Sequence, residues 1–159
     1  MASWIVSEQA ADDEWGVTSI ESDRGDSGPS FRKTPCGDLP HEEHPCPWRR
    51  DAPVGTFPDK AFQISAHTTY DMADATFACH NAGVANPVTC AGFLLRGAFD
   101  NLSVRMWHTD LSAVHSDHAL YDSYREMAIA NGVDPEDPAI APCRGDRGEW
   151  IRPRNNEEK

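Results

Sequence analysis

Lysine is scarce in this chain. It supplies three of the 14 basic residues, against 26 acids in 159 residues, and the formal net charge is −12. Such a chain lacks the broad cationic surface that phosphate neutralisation needs, which counts against general nucleic-acid binding. Apolar residues are few as well, at 39%. One modest core of roughly 100–110 ordered residues is the most they allow, and a core that small needs a disulfide or metal staple. No stretch approaches the roughly 18 apolar residues of a membrane span. "MASWIVSEQAADDEW" has neither a basic start nor a useful apolar run, so no secretory signal is expected and the expected location is the cytoplasm. There, five cysteines read as thiols, because structural disulfides are rare in that compartment and an odd count does not make a closed framework.

Several motifs of catalysis are missing too. There is no glycine-rich phosphate loop, no H-E-x-x-H and no G-x-S-x-G, which leans the reading away from an enzyme. "HEE" at 41–43 has the H-x-E of zinc deaminases but lacks their downstream P-C-x-x-C.

What remains is unevenly distributed. Residues 1–30 hold seven acids and one base, Arg24, and carry half of the net charge. Residues 1–34 therefore read as an acidic, disordered arm, in which Trp4, Ile5, Val6 and Trp15 are the only docking candidates. Residues 35–55 contain five prolines, which forbid a continuous helix and keep their shape only if pinned. Helices are predicted in "TFPDKAFQISAH", capped by Thr56, and in "NPVTCAGFLLRG", capped by Asn86 or Thr89 with Pro87 in the first turn. Another is predicted in "DNLSVRMW". The clearest is "DHALYDSYREMAIANG", capped by Asp117 or Ser116, with Leu120, Tyr124 and Met127 as its apolar stripe and Gly132 as its stop. "TFACHN" is the one predicted short strand. Residues 144–159 read as a charged tail on which Trp150 and Ile151 could dock.

Cys36, Cys46, Cys79 and Cys90 are separated by nine, 32 and ten residues. Two loops giving two ligands each are a common route to the four Cys or His ligands of a closed zinc site. Neither pair has the usual two-to-four-residue spacing. Cys90 lies near a predicted helix start, where the helix dipole favours a thiolate. His44 and His80 are reserve ligands, with His41 in the same loop. Four thiolates equally suit a 4Fe-4S cluster, so zinc and iron–sulfur both stand. Cys143 is the spare thiol. Trp48 could shield the ion from water, and Arg49 and Arg50 could grip an anion or a partner. "HSDH" at 115–118 reads more simply as a solvated helix start than as a second metal site.

The blocks "PC…CPWRRD", "FACH", "CAGFLLRG" and "LYDSYREMAIANGVDP" resemble an uncharacterised family of small, Cys-rich actinobacterial and actinophage proteins. The resemblance spans 35–143 and implies a metal-binding domain with no assigned reaction. Members usually carry a close cysteine pair before "PWRRD". Cys46, Cys79 and Cys90 match that pattern, whereas Cys36 matches only across an inserted "LPHEEHP", which leaves His44 and His41 as alternatives for the fourth ligand.

The expectation is a small, mainly α (or α+β) single domain over 35–143 around a Cys-rich metal site, with disordered residues before it and a tail after it. The expected role is a structural-zinc module that binds or regulates a protein partner, a host protein if the chain is phage-encoded. The alternatives are a redox-sensing or electron-transferring iron–sulfur protein, and a nucleic-acid-binding regulator using Arg49, Arg50, Arg96 and Arg105.

Overall fold

The computed structural model describes residues 5–21, 30–82, 87–107 and 110–143. Asn86, Trp4 and the 144–159 tail with Trp150 and Ile151 lie outside the described residues.

Residues 5–21 of the N-terminal segment are ordered rather than part of a disordered arm. Strands β1 (Ile5–Ala10) and β2 (Gly16–Glu21) form an antiparallel hairpin, and β3 (Ala75–Phe77) pairs antiparallel with β2 in the order β1-β2-β3. Its acids serve the turn: one Asp12 carboxylate oxygen accepts the N–H groups of Glu14 and Trp15, both at 2.8 Å, a local arrangement that Asp favours. In the central strand Val17, Ser19 and Ile20 are buried, with Ile20 opposite Thr76.

The helices are short. They are α1 (Asp59–Ser65), which runs into a 3₁₀ turn (Ala66–Thr69), a π-helical segment (Phe93–Gly97), α2 (Leu102–Met106) and α3 (Tyr124–Ala130). A mainly α domain is therefore incorrect: no described helical element exceeds seven residues, and most of the described residues are turn and loop around a small sheet. None of the described helices is long and apolar enough to cross a membrane.

Local chemistry accounts for the boundaries. Helix α1 starts behind Pro58 with no side-chain cap, because the Thr56 hydroxyl donates to the Pro53 carbonyl instead. Helix α3 starts at Ser123, whose hydroxyl accepts the Glu126 N–H, while Glu126 accepts the Asp122 N–H. This is a variant of the capping box, with the carboxylate reaching one residue beyond the N-cap, and it leaves Leu120 before the helix, in an extended bridge to Arg49. Gly132, at φ +104°, ends α3 as expected: the Val133 N–H reaches the Ala128 carbonyl, as in a Schellman stop. Asn101 caps α2 and also donates to the Thr68 and Ala75 carbonyls, so one buried side chain joins the 3₁₀ turn, β3 and α2.

Trp48 stands at the centre with no exposed surface. Its ring meets Tyr124 and Phe77 edge-on at 5.7 and 5.9 Å. The π-helical turn can lie on it only because the facing residues are glycines. A Cβ at Gly92 would fall 2.5 Å from the Trp48 Cβ, and one at Gly97 would fall 2.7 Å from the ring. Gly92→Ala is expected to cost about 1–3 kcal/mol through overpacking; an unchanged thermal midpoint would mean that this contact is easily relaxed.

Candidate metal centre

The loop before Trp48 brings Cys36 and Cys46 together despite the nine residues between them. The Cys46 N–H donates to the Cys36 carbonyl at 3.1 Å, and the Arg49 guanidinium donates to the same oxygen at 3.1 Å. Gly37 turns the chain at φ +118°, where a Cβ would meet the Pro45 Cα at 2.7 Å. Within the insertion, Glu42 accepts the Gly37 N–H at 2.7 Å and faces the Arg32 guanidinium at 3.0 Å. The "LPHEEHP" stretch thus folds out and back, and its buried glutamate holds the cysteine turn in place.

Burial opposes the charge of Glu42, but the Gly37 N–H and Arg32 outweigh it and lower its pKa from 4.5. Because the folded value is the lower one, this stabilisation is complete above the ordinary value and disappears as pH falls through the folded one. Glu42→Gln is expected to cost about 1.5–3 kcal/mol at neutral pH and to flatten the acid limb of the stability profile. Urea melts of both proteins from neutral pH downward test this, and parallel profiles would remove Glu42 from the account.

The second pair comes from a short antiparallel crossing. The Cys79 N–H bonds to the Val88 carbonyl at 2.7 Å and the Cys90 N–H to the Phe77 carbonyl at 3.0 Å. Cys90 then opens the helical turn that continues as Phe93–Gly97, its carbonyl accepting the Leu94 N–H.

All four side chains converge. The Cys46 and Cys90 sulfurs are 3.6 Å apart. The Cys36 side chain interacts with those of Cys46 and Cys79, and Cys79 interacts electrostatically with Cys90, so the four thiols form one cluster. Each is at most 4% exposed. The thiol hydrogen bonds from Cys46 and Cys79 drive the Cys36 pKa far down. Cys46 is pushed up by burial and then by its thiol neighbours, and Cys79 by its bond to Cys36 and then by burial. Asn81 lies beside the group, its side chain donating to the His44 carbonyl at 3.4 Å and its neighbourhood lowering the pKa values of Cys36 and Cys79. Among the described residues, no set of three or more His, Cys, Asp and Glu side chains is placed to hold a metal ion; of the four sulfurs, those of Cys46 and Cys90 are at hydrogen-bonding distance.

The other candidates have different employment. The His80 Nε2 is 2.7 Å from the His44 carbonyl, and a carbonyl only accepts, so Nε2 carries the proton. Burial lowers the His80 pKa. The His44 ring packs edge-on against Trp15 at 5.2 Å, and His41 is 76% exposed beside Glu42. Cys143 is buried elsewhere, its sulfur 3.3 Å from the Thr69 hydroxyl. Trp48 is core. Arg49 is buried, paired in two parallel bonds of 2.8 Å with Asp51 and at 3.1 Å with Asp38. Arg50 pairs with Glu126 at 2.9 Å and lies over the Tyr121 ring. His118 is seated between Asp38 and Asp51. Gly37, Glu42, Arg32 and Asn81 are supports that the sequence reading missed; a glycine directly after Cys36 and an amide two residues after Cys79 were the available signals.

A family model described as a family of unknown function, DUF6283, matches residues 31–144. The chain belongs to that family. The matched segment contains all four clustered cysteines and begins after the β1–β2 hairpin, so in this DUF6283 protein the hairpin is built from residues outside the match. No curated protein and no solved structure matches the chain.

Proposed function

We propose that Cys36, Cys46, Cys79 and Cys90 hold one zinc ion in a closed structural site, and that the domain serves as a binding or regulatory module for a protein partner. The sulfur spacing carries this reading. A tetrahedral zinc ion with bonds of about 2.3 Å sets its sulfurs about 3.8 Å apart, close to the 3.6 Å between Cys46 and Cys90. A 4Fe-4S cluster attaches each cysteine to a different iron and would hold the sulfurs much farther apart. Four protein ligands leave no open position for a substrate or activated water, in keeping with a non-catalytic ion.

For the partner, the support is an exposed apolar surface. Met72 and Phe99 are 55% and 38% exposed, and their segments are tied by the Met72 N–H to the Asp100 carbonyl at 2.8 Å. Met72 also holds a left-handed backbone, φ 66°, which a non-glycine residue adopts at a cost. The double variant Met72→Asp, Phe99→Asp should leave metal content and melting unchanged, and a destabilised variant would assign these side chains to the fold instead.

Elemental analysis with a visible spectrum, on protein purified without oxygen or added metal, tests the central claim. One zinc per chain and no colour is the expected result. Iron with sulfide, or no metal, overturns it.

A further inference from the structure

A cavity of about 240 Å³ lies between β2 and α1, walled by Trp15, Phe57, Phe62 and Phe77 and reaching Cys79 and His80. Of the four clustered cysteines, Cys79 is the one that lines it. Cavities of about 150 Å³ with apolar walls admit benzene, so this one has room for an aromatic or branched alkyl group. Its walls do not suit a charged or peptide-sized molecule. Beyond Cys79, the Cys46 and Cys90 sulfurs are 3.6 Å apart, and the Cys36 and Cys79 side chains interact with each other. Adjacent thiols of this kind are set up for two-electron oxidation to a disulfide.

We propose that this cavity admits an organic hydroperoxide to Cys79, and that oxidation of Cys79 with Cys36 as its resolving partner opens the four-thiol centre. This rests on the zinc reading above. The Cys79 sulfur attacks the terminal peroxide oxygen, the O–O bond breaks, and the alcohol leaves with a proton; Cys79 is now a sulfenic acid. The Cys36 sulfur attacks the Cys79 sulfur, the S–O bond breaks and water leaves. Two thiolates, one hydroperoxide and two protons from solvent give a disulfide, an alcohol and water, with two electrons passed from sulfur to oxygen. Zinc is left with Cys46 and Cys90 alone and dissociates.

The test uses the full-length, zinc-loaded chain, a chromogenic zinc chelator, and cumene hydroperoxide beside hydrogen peroxide at equal concentration. Cumene hydroperoxide should release zinc about tenfold faster or more, with a Cys36–Cys79 disulfide found by mass spectrometry. Ala61, on the α1 wall of the cavity, provides the block: Ala61→Phe should slow release by cumene hydroperoxide about tenfold and leave the hydrogen peroxide rate within about twofold. If that variant does not retain zinc, Trp15→Ala, which widens the same cavity, should speed the organic oxidant selectively. Equal rates for the two oxidants, or a disulfide that excludes Cys79, overturns the proposal. A chain purified without zinc overturns the metal reading instead, so the two failures are distinguishable.

Discussion

Stripping the metal with a strong chelator is expected to unfold the domain, not merely to loosen it. If zinc joins Cys36 and Cys46 to Cys79 and Cys90, its binding energy, about 10–16 kcal/mol in small structural zinc sites, matches or exceeds the whole net stability of a small domain, about 5–15 kcal/mol. Apart from Trp48, which packs on Phe77 and against Gly92, few contacts tie the loop of residues 30–51 to the Cys79–Cys90 crossing. A parallel bridge joins Phe31 to Thr89, and the His44 carbonyl receives the His80 ring and the Asn81 amide. These polar links are worth about 1 kcal/mol each. Chelation should therefore abolish the cooperative melt and shift tryptophan emission to the red, because Trp48 has no exposed surface in the folded chain. Cys90→Ser should do the same without a chelator. Cys143→Ser, remote from the cluster, should keep its zinc. A metal-free chain that keeps its melting transition would show that the four thiols are ordinary core residues. Ligand thiols must lose protons to bind, so zinc affinity should also fall as pH falls.

Some of this was legible in the residues, and the parts that were not have physical causes. The four cysteines could be picked out because a proline-rich loop without regular structure needs a fixed point. Cys36 was the weakest of them, since an insertion of seven residues separates it from the expected close pair. Two hydrogen bonds to its carbonyl, from the Cys46 N–H and Arg49, make that insertion harmless, and such backbone closure leaves no trace in spacing. The hairpin was hidden by charge. Asp12, Asp13 and Glu14 look like part of a repelling acidic arm, yet they sit in a tight turn, and the alternation that would mark the flanking strands is interrupted because Ser19 and Ile20 are both buried in β2. Helix α3 was placed too early because Leu120, Tyr124 and Met127 do share the core. Burial of all three does not require one helix. The sequence Ser-Tyr-Arg-Glu at 123–126 was the stronger boundary signal, and its capping chemistry decides the start. Trp48 and Arg49 were read outward because they follow the candidate ligand Cys46, whereas the structure turns both inward.

Trp48→Ala is expected to cost about 3–5 kcal/mol, the largest effect of any single change outside the cysteines. The side chain is fully buried, packs on Tyr124 and Phe77, and fills the concavity that Gly92 and Gly97 leave in the π-helical turn. Its removal leaves a cavity that the facing glycines cannot fill, since neither has a side chain to move into it. The damage should spread to the proposed zinc site, because Cys46 lies two residues before Trp48 and Cys90 two residues before Gly92; if zinc is held there, faster zinc loss to a chelator should accompany the lower melting point. Trp48→Phe separates size from polarity. The indole N–H is buried and has no hydrogen-bond partner among the described residues, so phenylalanine leaves nothing unsatisfied and removes one orphaned donor, whose burial costs about 1–3 kcal/mol. That gain offsets part of the lost packing, and the phenylalanine variant should be far closer to the parent than the alanine variant. Equal losses in the two would mean that the indole N–H has a partner after all, and that Trp48 is held by that bond more than by its contact with the glycine turn.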